Sequence, residues 1–160
     1  GNGRMSFTDL LARFTAAVEA GDGQALAATF TEDGVYHDTF YGAFAGREAI
    51  ADMLENRFWR DAEAFRWDMK EPVAVGDIGY AHWLFSYQSK LTGVEGKRVA
   101  FEGMSCLHLS GGLIRHYGEV FDQGIALAQT GFAADRIAKR LTREADAVRL
   151  RAAGTRHLQG

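Results

Sequence analysis

The hydrophobic period of this chain switches from helical to two partway along its length, and that switch limits the folds open to it. Up to about residue 59 the apolar residues recur at helical spacing; beyond it, from Phe65 to Phe121, they alternate with period two. Leu10, Leu11, Phe14 and Val18 predict a helix over Thr8 to Ala20, with Ser6 or Thr8 as N-cap and Gly21-Asp22-Gly23 as its stop. Gln24 to Phe30 reads as a short second helix, Glu32-Asp33-Gly34 as a turn, and Val35 to Thr39 as a short strand. Ile50, Met53, Leu54 and Phe58 share one face of a third helix, Arg47 to Trp59. Four strands are expected next: Phe65 to Val75, bent near Pro72, then Gly79 to Leu91, Lys97 to Leu109 and Leu113 to Phe121. The last two form a hairpin across Ser110-Gly111-Gly112. Helices followed by antiparallel strands predict an α+β domain with the helices on one face of the sheet. A strongly curved sheet of this kind encloses a hollow, a natural ligand site.

Ile125 to Thr130 reads as a short helix closed by Gly131. From Ala133 to Ala153 the chain is amphipathic, with Ile137, Leu141, Ala145, Val148 and Ala152 on one stripe. Residues 5–132 are therefore expected to form the domain, and 133–153 an extra helix that packs on it or on a second copy. The charge is uneven. From Asp135 onward there are seven Arg or Lys and three Asp or Glu, against eleven and eighteen before it. With a net charge of −3, this favours docking of a basic tail on an acidic body over nucleic-acid binding. No apolar run is long enough to span a bilayer and no leader is read, Met5 being taken as the native start after residues 1–4. The lone Cys106 makes no internal disulfide and suits a reducing, cytoplasmic setting. It reads as a small hydrophobe in a strand, or as a nucleophile if a base lies beside it.

Three stretches of the first half, LARFTAAVEAGD from Leu11 to Asp22, FTEDGVYHD from Phe30 to Asp38 and GREAI from Gly46 to Ile50, resemble ketosteroid isomerases and aromatic polyketide cyclases. The stretch FDQGIALAQTG from Phe121 to Gly131 is similar to the end of the SnoaL-like polyketide cyclase branch. The resemblance places the chain in the nuclear transport factor two-like superfamily. It implies a cone-shaped, mostly antiparallel sheet wrapped by N-terminal helices around a pocket. It also implies acid/base aspartates at Asp38, by the isomerase pattern, and Asp122, by the cyclase pattern. Phe14 stands where the isomerases carry an oxyanion-hole tyrosine, and Ser105 where they carry a protonated aspartic acid, so both isomerase donors are replaced.

Proton abstraction beside a carbonyl needs a base near carbon and donors near the developing oxyanion. Asp38 and Asp122 are the candidate catalytic carboxylates, each with a plainer alternative: Asp38 as a solvated strand-end residue, Asp122 as the N-cap of the helix after it. By the resemblance, His82 faces the pocket with Leu84, Ser86 and Gln88, as a donor or proton shuttle, or as a structural histidine. Trp83, Phe85 and Tyr87 then face outward, where such aromatics suit a homodimer interface. Trp83 is also kept among the candidate substrate contacts, with Phe14, Ser105, Tyr117, Glu119 and Phe121. Glu119 and Asp122 lie three apart, so either a bulge brings both inward or only one faces the pocket; the isomerase resemblance turns Tyr117, Glu119 and Phe121 inward, the cyclase resemblance Asp122. The histidines lack metal-site spacing, so neither metal nor cofactor is expected. Two readings result. One is cofactor-independent lyase, isomerase or cyclase chemistry on a small, largely apolar carbonyl compound. The other is a non-catalytic domain that binds a small ligand or a protein.

Overall fold

The computed structural model describes residues 5–159; the reading of residues 1–4 lies outside them. Its contacts divide the chain into two units, one ending at Asp122 and one beginning at Gln123.

The first unit is α+β. Helix α1 (Phe7–Ala20) starts where Ser6 accepts the Asp9 amide N–H at 3.0 Å and stops at Gly21, whose φ of 67° closes the helix in the left-handed region. Helix α2 (Gly23–Ala27) is capped in the same way by Asp22. Strands β1 (Phe30–Asp38) and β2 (Gly42–Ala45) follow. Then come α3 (Arg47–Met53), a π-helical turn (Leu54–Phe58) and the short α4 (Trp59–Asp61). Four long strands complete the unit: β3 (Ala62–Val75), β4 (Ile78–Ser89), β5 (Arg98–Ser110) and β6 (Leu113–Phe121).

The six strands lie in the order β2-β1-β6-β5-β4-β3. All pairs are antiparallel except β1 with β6, which brings Tyr36 beside Tyr117. This is the expected curved, mostly antiparallel sheet under N-terminal helices, with differences of detail. The expected turn at 32–34 is part of β1, which bulges between Phe30 and Val35, and β2 was not foreseen. Strand β3 shifts register between Glu63 and Arg66 and again between Lys70 and Val73. The second shift is the expected bend. Pro72 has no N–H for the ladder, and Glu71 before it takes φ 49°.

The inner face of the sheet is aromatic. Phe14 from α1 stacks on Tyr36 and Tyr117 at ring-centroid distances of 6.0 and 5.0 Å, and Trp67 meets it edge-on at 5.2 Å. Cross-strand pairing carries this layer outward from Tyr117 through Ser105 and Gly103 to Trp83, Phe101 and Phe121. The facing inferred for β4 is therefore reversed. Trp83 is 2% exposed and packs on Trp67, Phe101 and Phe121, whereas His82 and Leu84 lie on the outer face. The cause is volume: an indole fills interior space that the smaller, polar His82, Ser86 and Gln88 would leave empty or unsatisfied.

The second unit holds α5 (Gln123–Gln129) and α6 (Ala134–Ala152). Arg140 donates to Gln123 Oε1 at 3.1 Å and pairs with Glu144 at 3.5 Å, one helical turn on. On α6, Leu141, Val148 and Leu150 are exposed. Among the described residues no helix is long and apolar enough to cross a membrane.

Gly103 offers a direct test of this packing. A Cβ there would lie 2.6 Å from the Val120 carbonyl oxygen and 2.8 Å from both the Phe121 Cβ and the Trp83 ring. Gly103→Ala is expected to lower stability by about 1–3 kcal/mol, read by denaturant unfolding. An unchanged midpoint would show that Trp83 does not lie against this strand.

Candidate active site

Where β1, β5 and β6 run side by side, the inner face turns polar. Ser105 on β5 sits opposite Glu119 on β6, and Leu107 opposite Tyr117. A continuous hydrogen-bonded chain results. Trp83 Nε1–H donates to Ser105 Oγ at 2.8 Å, Ser105 Oγ meets Tyr117 OH at 2.7 Å, and Tyr117 OH donates to Glu119 Oε1 at 2.8 Å. Thr39 Oγ1 donates to the other oxygen, Glu119 Oε2, at 3.1 Å. The indole N–H can only donate and an ionised carboxylate can only accept. The hydroxyl protons between them therefore run one way, from Trp83 toward Glu119. When Glu119 carries a proton the intervening hydroxyls can turn, because each both donates and accepts.

Asp38 ends β1 beside this chain and is 6% exposed. Its Oδ2 accepts backbone N–H bonds from Phe40 at 3.0 Å and Tyr41 at 2.9 Å, which fixes the rotamer. Burial pushes the Glu119 carboxyl up to about 8, and the neighbouring Asp38 charge adds to the rise. The bonds from Tyr117 and Thr39 pull the other way and lose. Burial also holds Tyr36 and Tyr117 well above the ordinary phenol value, so both keep their protons through the neutral range.

Aromatic rings surround the carboxyls. Phe121 stacks on Phe101 at 4.8 Å and meets Phe40 at 5.4 Å, while Phe85 joins Phe101 at 5.4 Å. Phe40, Phe85, Tyr87 and Phe121 are half-buried and Tyr41 is 40% exposed, so this end of the cone is the less closed one. Burial pushes Tyr41 and Tyr87 each up to about 12.

The structure thus brings Asp38, Ser105, Tyr117, Glu119, Trp83 and Phe121 together and leaves the other two candidate catalytic residues outside. His82, on the outer face, meets Glu71 at 3.2 Å, with 43% of its side chain exposed. Its expected pocket-facing position fails for the same packing reason that turns Trp83 inward. Asp122 is exposed, just ahead of α5. Phe14 lies deeper in the aromatic layer, 5.0 Å from the Tyr117 ring and fully buried. Of the two inward alternatives for β6, the one with Tyr117 and Glu119 holds. Thr39 was missed as a partner; its only sequence signal is its place next to Asp38. Cys106 is half-buried on the outer face, opposite Tyr80.

A surface groove of ≈ 520 Å³ lies elsewhere, between α2 and α3, lined by Gln24, Arg47, Glu48, Asp52 and Glu55 among others. Its one cation, Arg47, is committed to the Phe30 carbonyl at 3.0 and 2.8 Å, and no relay of hydroxyls and carboxyls enters it. Among the described residues no group of three or more His, Cys, Asp or Glu side chains is placed to hold a metal ion.

Comparison with known proteins gives a consistent frame. The family model described as SnoaL-like domain matches residues 11–117. A search of curated proteins finds no match. Among solved structures, a Catenulispora acidiphila protein with a ketosteroid isomerase-like fold, in complex with trimethylamine, is 22% identical with a TM-score of 0.72, covering 81% of this chain and 98% of its own. TsrD from Streptomyces laurentii is 20% identical with a TM-score of 0.65, covering 78% and 93%. An LEH-like epoxide hydrolase from M. tuberculosis is 18% identical with a TM-score of 0.61, covering 75% and 85%.

The raised Glu119 carboxyl has a consequence for stability. Between its ordinary value of 4.5 and about 8, Glu119 keeps its proton in the folded chain and loses it in the unfolded one. The folded state binds the extra proton, so its stabilising effect is full below that window and fades as pH rises through it. Glu119→Gln, uncharged throughout, is expected to be more stable relative to the wild type at pH 8 than at pH 5. Urea unfolding of both proteins across that range measures the difference. A constant difference would contradict the buried carboxyl.

Proposed function

Because this chain belongs to the SnoaL-like domain family, we propose that it performs cofactor-independent proton transfer of the lyase, isomerase or cyclase kind on a small, largely apolar carbonyl compound. The observation that carries the proposal is the pair of buried carboxyls, Asp38 and Glu119, next to one another on the aromatic inner side of the sheet, with Glu119 raised to about 8. Two carboxyls whose environments differ this much can divide acid from base work near neutral pH. Asp38, fixed by two backbone N–H groups, keeps the acid/base role read from the sequence, and Glu119 joins it as the second member. Tyr117 and Ser105 serve as the proton path behind Glu119, and the surrounding rings supply the apolar contacts.

The experiment is deuterium uptake at the α-carbon of small ketones, acetophenone first, followed by NMR in heavy water. Glu119→Gln and Asp38→Asn are each expected to slow enzyme-dependent uptake by about 10²–10⁴-fold. Uptake equal in the wild type and both variants would remove the acid/base reading. The second reading, a non-catalytic small-molecule site, draws on the trimethylamine complex of the Catenulispora acidiphila protein. Ligands that bind at the aromatic recess with no uptake above buffer would select it.

We also propose a homodimer through the outer face of the sheet, on residues other than those first considered. With Trp83, Phe85 and Tyr87 turned inward, the outer face still exposes Tyr80 (47%), Leu84 (42%), Met104 (48%) and Val120 (71%) on three adjacent strands. Water-exposed apolar area of this kind favours a partner. The exposed apolar stripe of α6 is read in the same way, as a surface that docks on its own chain or on that second copy. Val120→Glu is expected to give a monomer in sedimentation equilibrium, where the wild type sediments at twice that mass. A monomeric wild type would contradict the proposal.

A further inference from the structure

The chain has three tryptophans, and the fate of each indole N–H differs. Trp59 donates to the Val18 carbonyl at 3.3 Å, and Trp83 to Ser105 at 2.8 Å. Trp67 on β3 is 5% exposed, and its buried Nε1–H has no hydrogen-bond partner among the described residues. Leaving such a donor unpaired is costly, so its retention asks for a reason. Its surroundings supply one. The Trp67 ring meets Trp83 edge-on at 5.7 Å and Tyr117 edge-on at 6.3 Å, the two aromatic members of the chain that ends at Glu119. It also meets Phe14 at 5.2 Å and Phe85 at 5.0 Å, and Phe85 is one of the half-buried rings.

We propose that Trp67 Nε1–H is the hydrogen-bond donor for the oxygen of the bound ligand, and that the site therefore selects compounds carrying a carbonyl or enolate oxygen over apolar molecules of the same shape. This rests on the proposed acid/base reading and fills a gap in it. Abstracting a proton beside a carbonyl leaves negative charge on oxygen, and a buried, pre-placed donor stabilises that charge more than a solvated one does. Other donors on the inner face bond within the relay, Tyr36 to Tyr117 among them. Trp83 serves Ser105, and Tyr117 and Thr39 serve Glu119. A site built to pair with a ligand oxygen also rejects a ligand that lacks one, because the N–H then stays unpaired. The rival account, that the indole N–H rests against a neighbouring ring face, requires nothing of the ligand.

The experiment uses the ¹⁵N-labelled wild-type chain, its indole signals assigned with single Trp→Phe variants, titrated with acetophenone and separately with α-methylstyrene, which keeps the shape and replaces the oxygen by a methylene. The expected result is a downfield shift of the Trp67 indole proton with acetophenone only. Trp67→Phe is expected to weaken acetophenone binding about ten- to a hundredfold and leave α-methylstyrene unchanged. The inference is overturned by an equal shift with both compounds, by a shift at Trp83 in its place, or by no Trp67 shift up to the solubility limit of acetophenone. If Trp67→Phe does not fold, the pair of wild-type titrations decides. None of these readouts uses turnover, so failure of the Trp67 assignment and failure of the Glu119 reading are told apart: the latter shows as ketone exchange indifferent to Glu119→Gln.

Discussion

A carboxyl group taken out of water and given hydroxyls in exchange is the constraint on which the rest of this site depends. Glu119 receives hydrogen bonds from Tyr117 and from both the side chain and the backbone of Thr39, and these do not repay the loss of solvation, so its proton is held to about 8. Everything that keeps water away also keeps the relay in place. Tyr117 is pinned between Phe14 and Tyr36, at ring distances of 5.0 and 4.5 Å, so its hydroxyl has little freedom except to serve Ser105 and Glu119. At the far end Trp83, a donor without acceptor capacity, can only donate to Ser105.

On the proposed reading the same interior serves stability and chemistry together. A small domain needs large apolar volume to be stable, and proton transfer needs a dry, low-dielectric recess with few fixed polar groups. Aromatic residues meet both demands, because they bury much area while Tyr and Trp each leave one polar atom for directed bonding. Here Phe14, Phe30, Tyr36 and Tyr117 are buried completely, or to within 1%, at the packed end. Phe40, Phe85 and Phe121 stay half-buried at the other. Gly103, where any side chain would strike Trp83 and Phe121, allows the indole to lie flat enough for its N–H to reach Ser105.

Much of the architecture was legible in the sequence because it is written in local rules. Ser6 and Gly21 bracket α1, Ser110-Gly111-Gly112 turns β5 into β6, and Pro72 interrupts β3. What escaped depends on long-range pairing. Strand β2 has four residues and lies against β1 only because the loop after Asp38 folds back. The segment at 32–34 carries turn residues yet runs as strand, with Gly34 pressed close to the Ile114 carbonyl oxygen at 2.9 Å from its would-be Cβ. For the site, Asp38 was legible as a candidate from family resemblance, and so was the inward alternative for Glu119. The facing of β4 was misjudged by leaning on that resemblance where the bare alternation of Trp83, Phe85 and Tyr87 with His82 and Ser86 already favoured aromatics inside. The pairing of Ser105 with Glu119, the orphan N–H of Trp67 and the part played by Thr39 follow from register and tertiary packing, which no local pattern encodes.

The central claim is that Glu119 remains protonated through the neutral range because the fold buries its carboxyl beside Asp38. Titrating the ¹³C signal of the Glu119 side-chain carboxyl by NMR, assigned with Glu119→Gln, tests it most directly. The account predicts a midpoint near 8, moving toward the ordinary 4.5 when Asp38→Asn removes the neighbouring charge. A midpoint already at the ordinary carboxylate value in the wild type would mean that Glu119 is solvated, and the acid/base site described above would not exist.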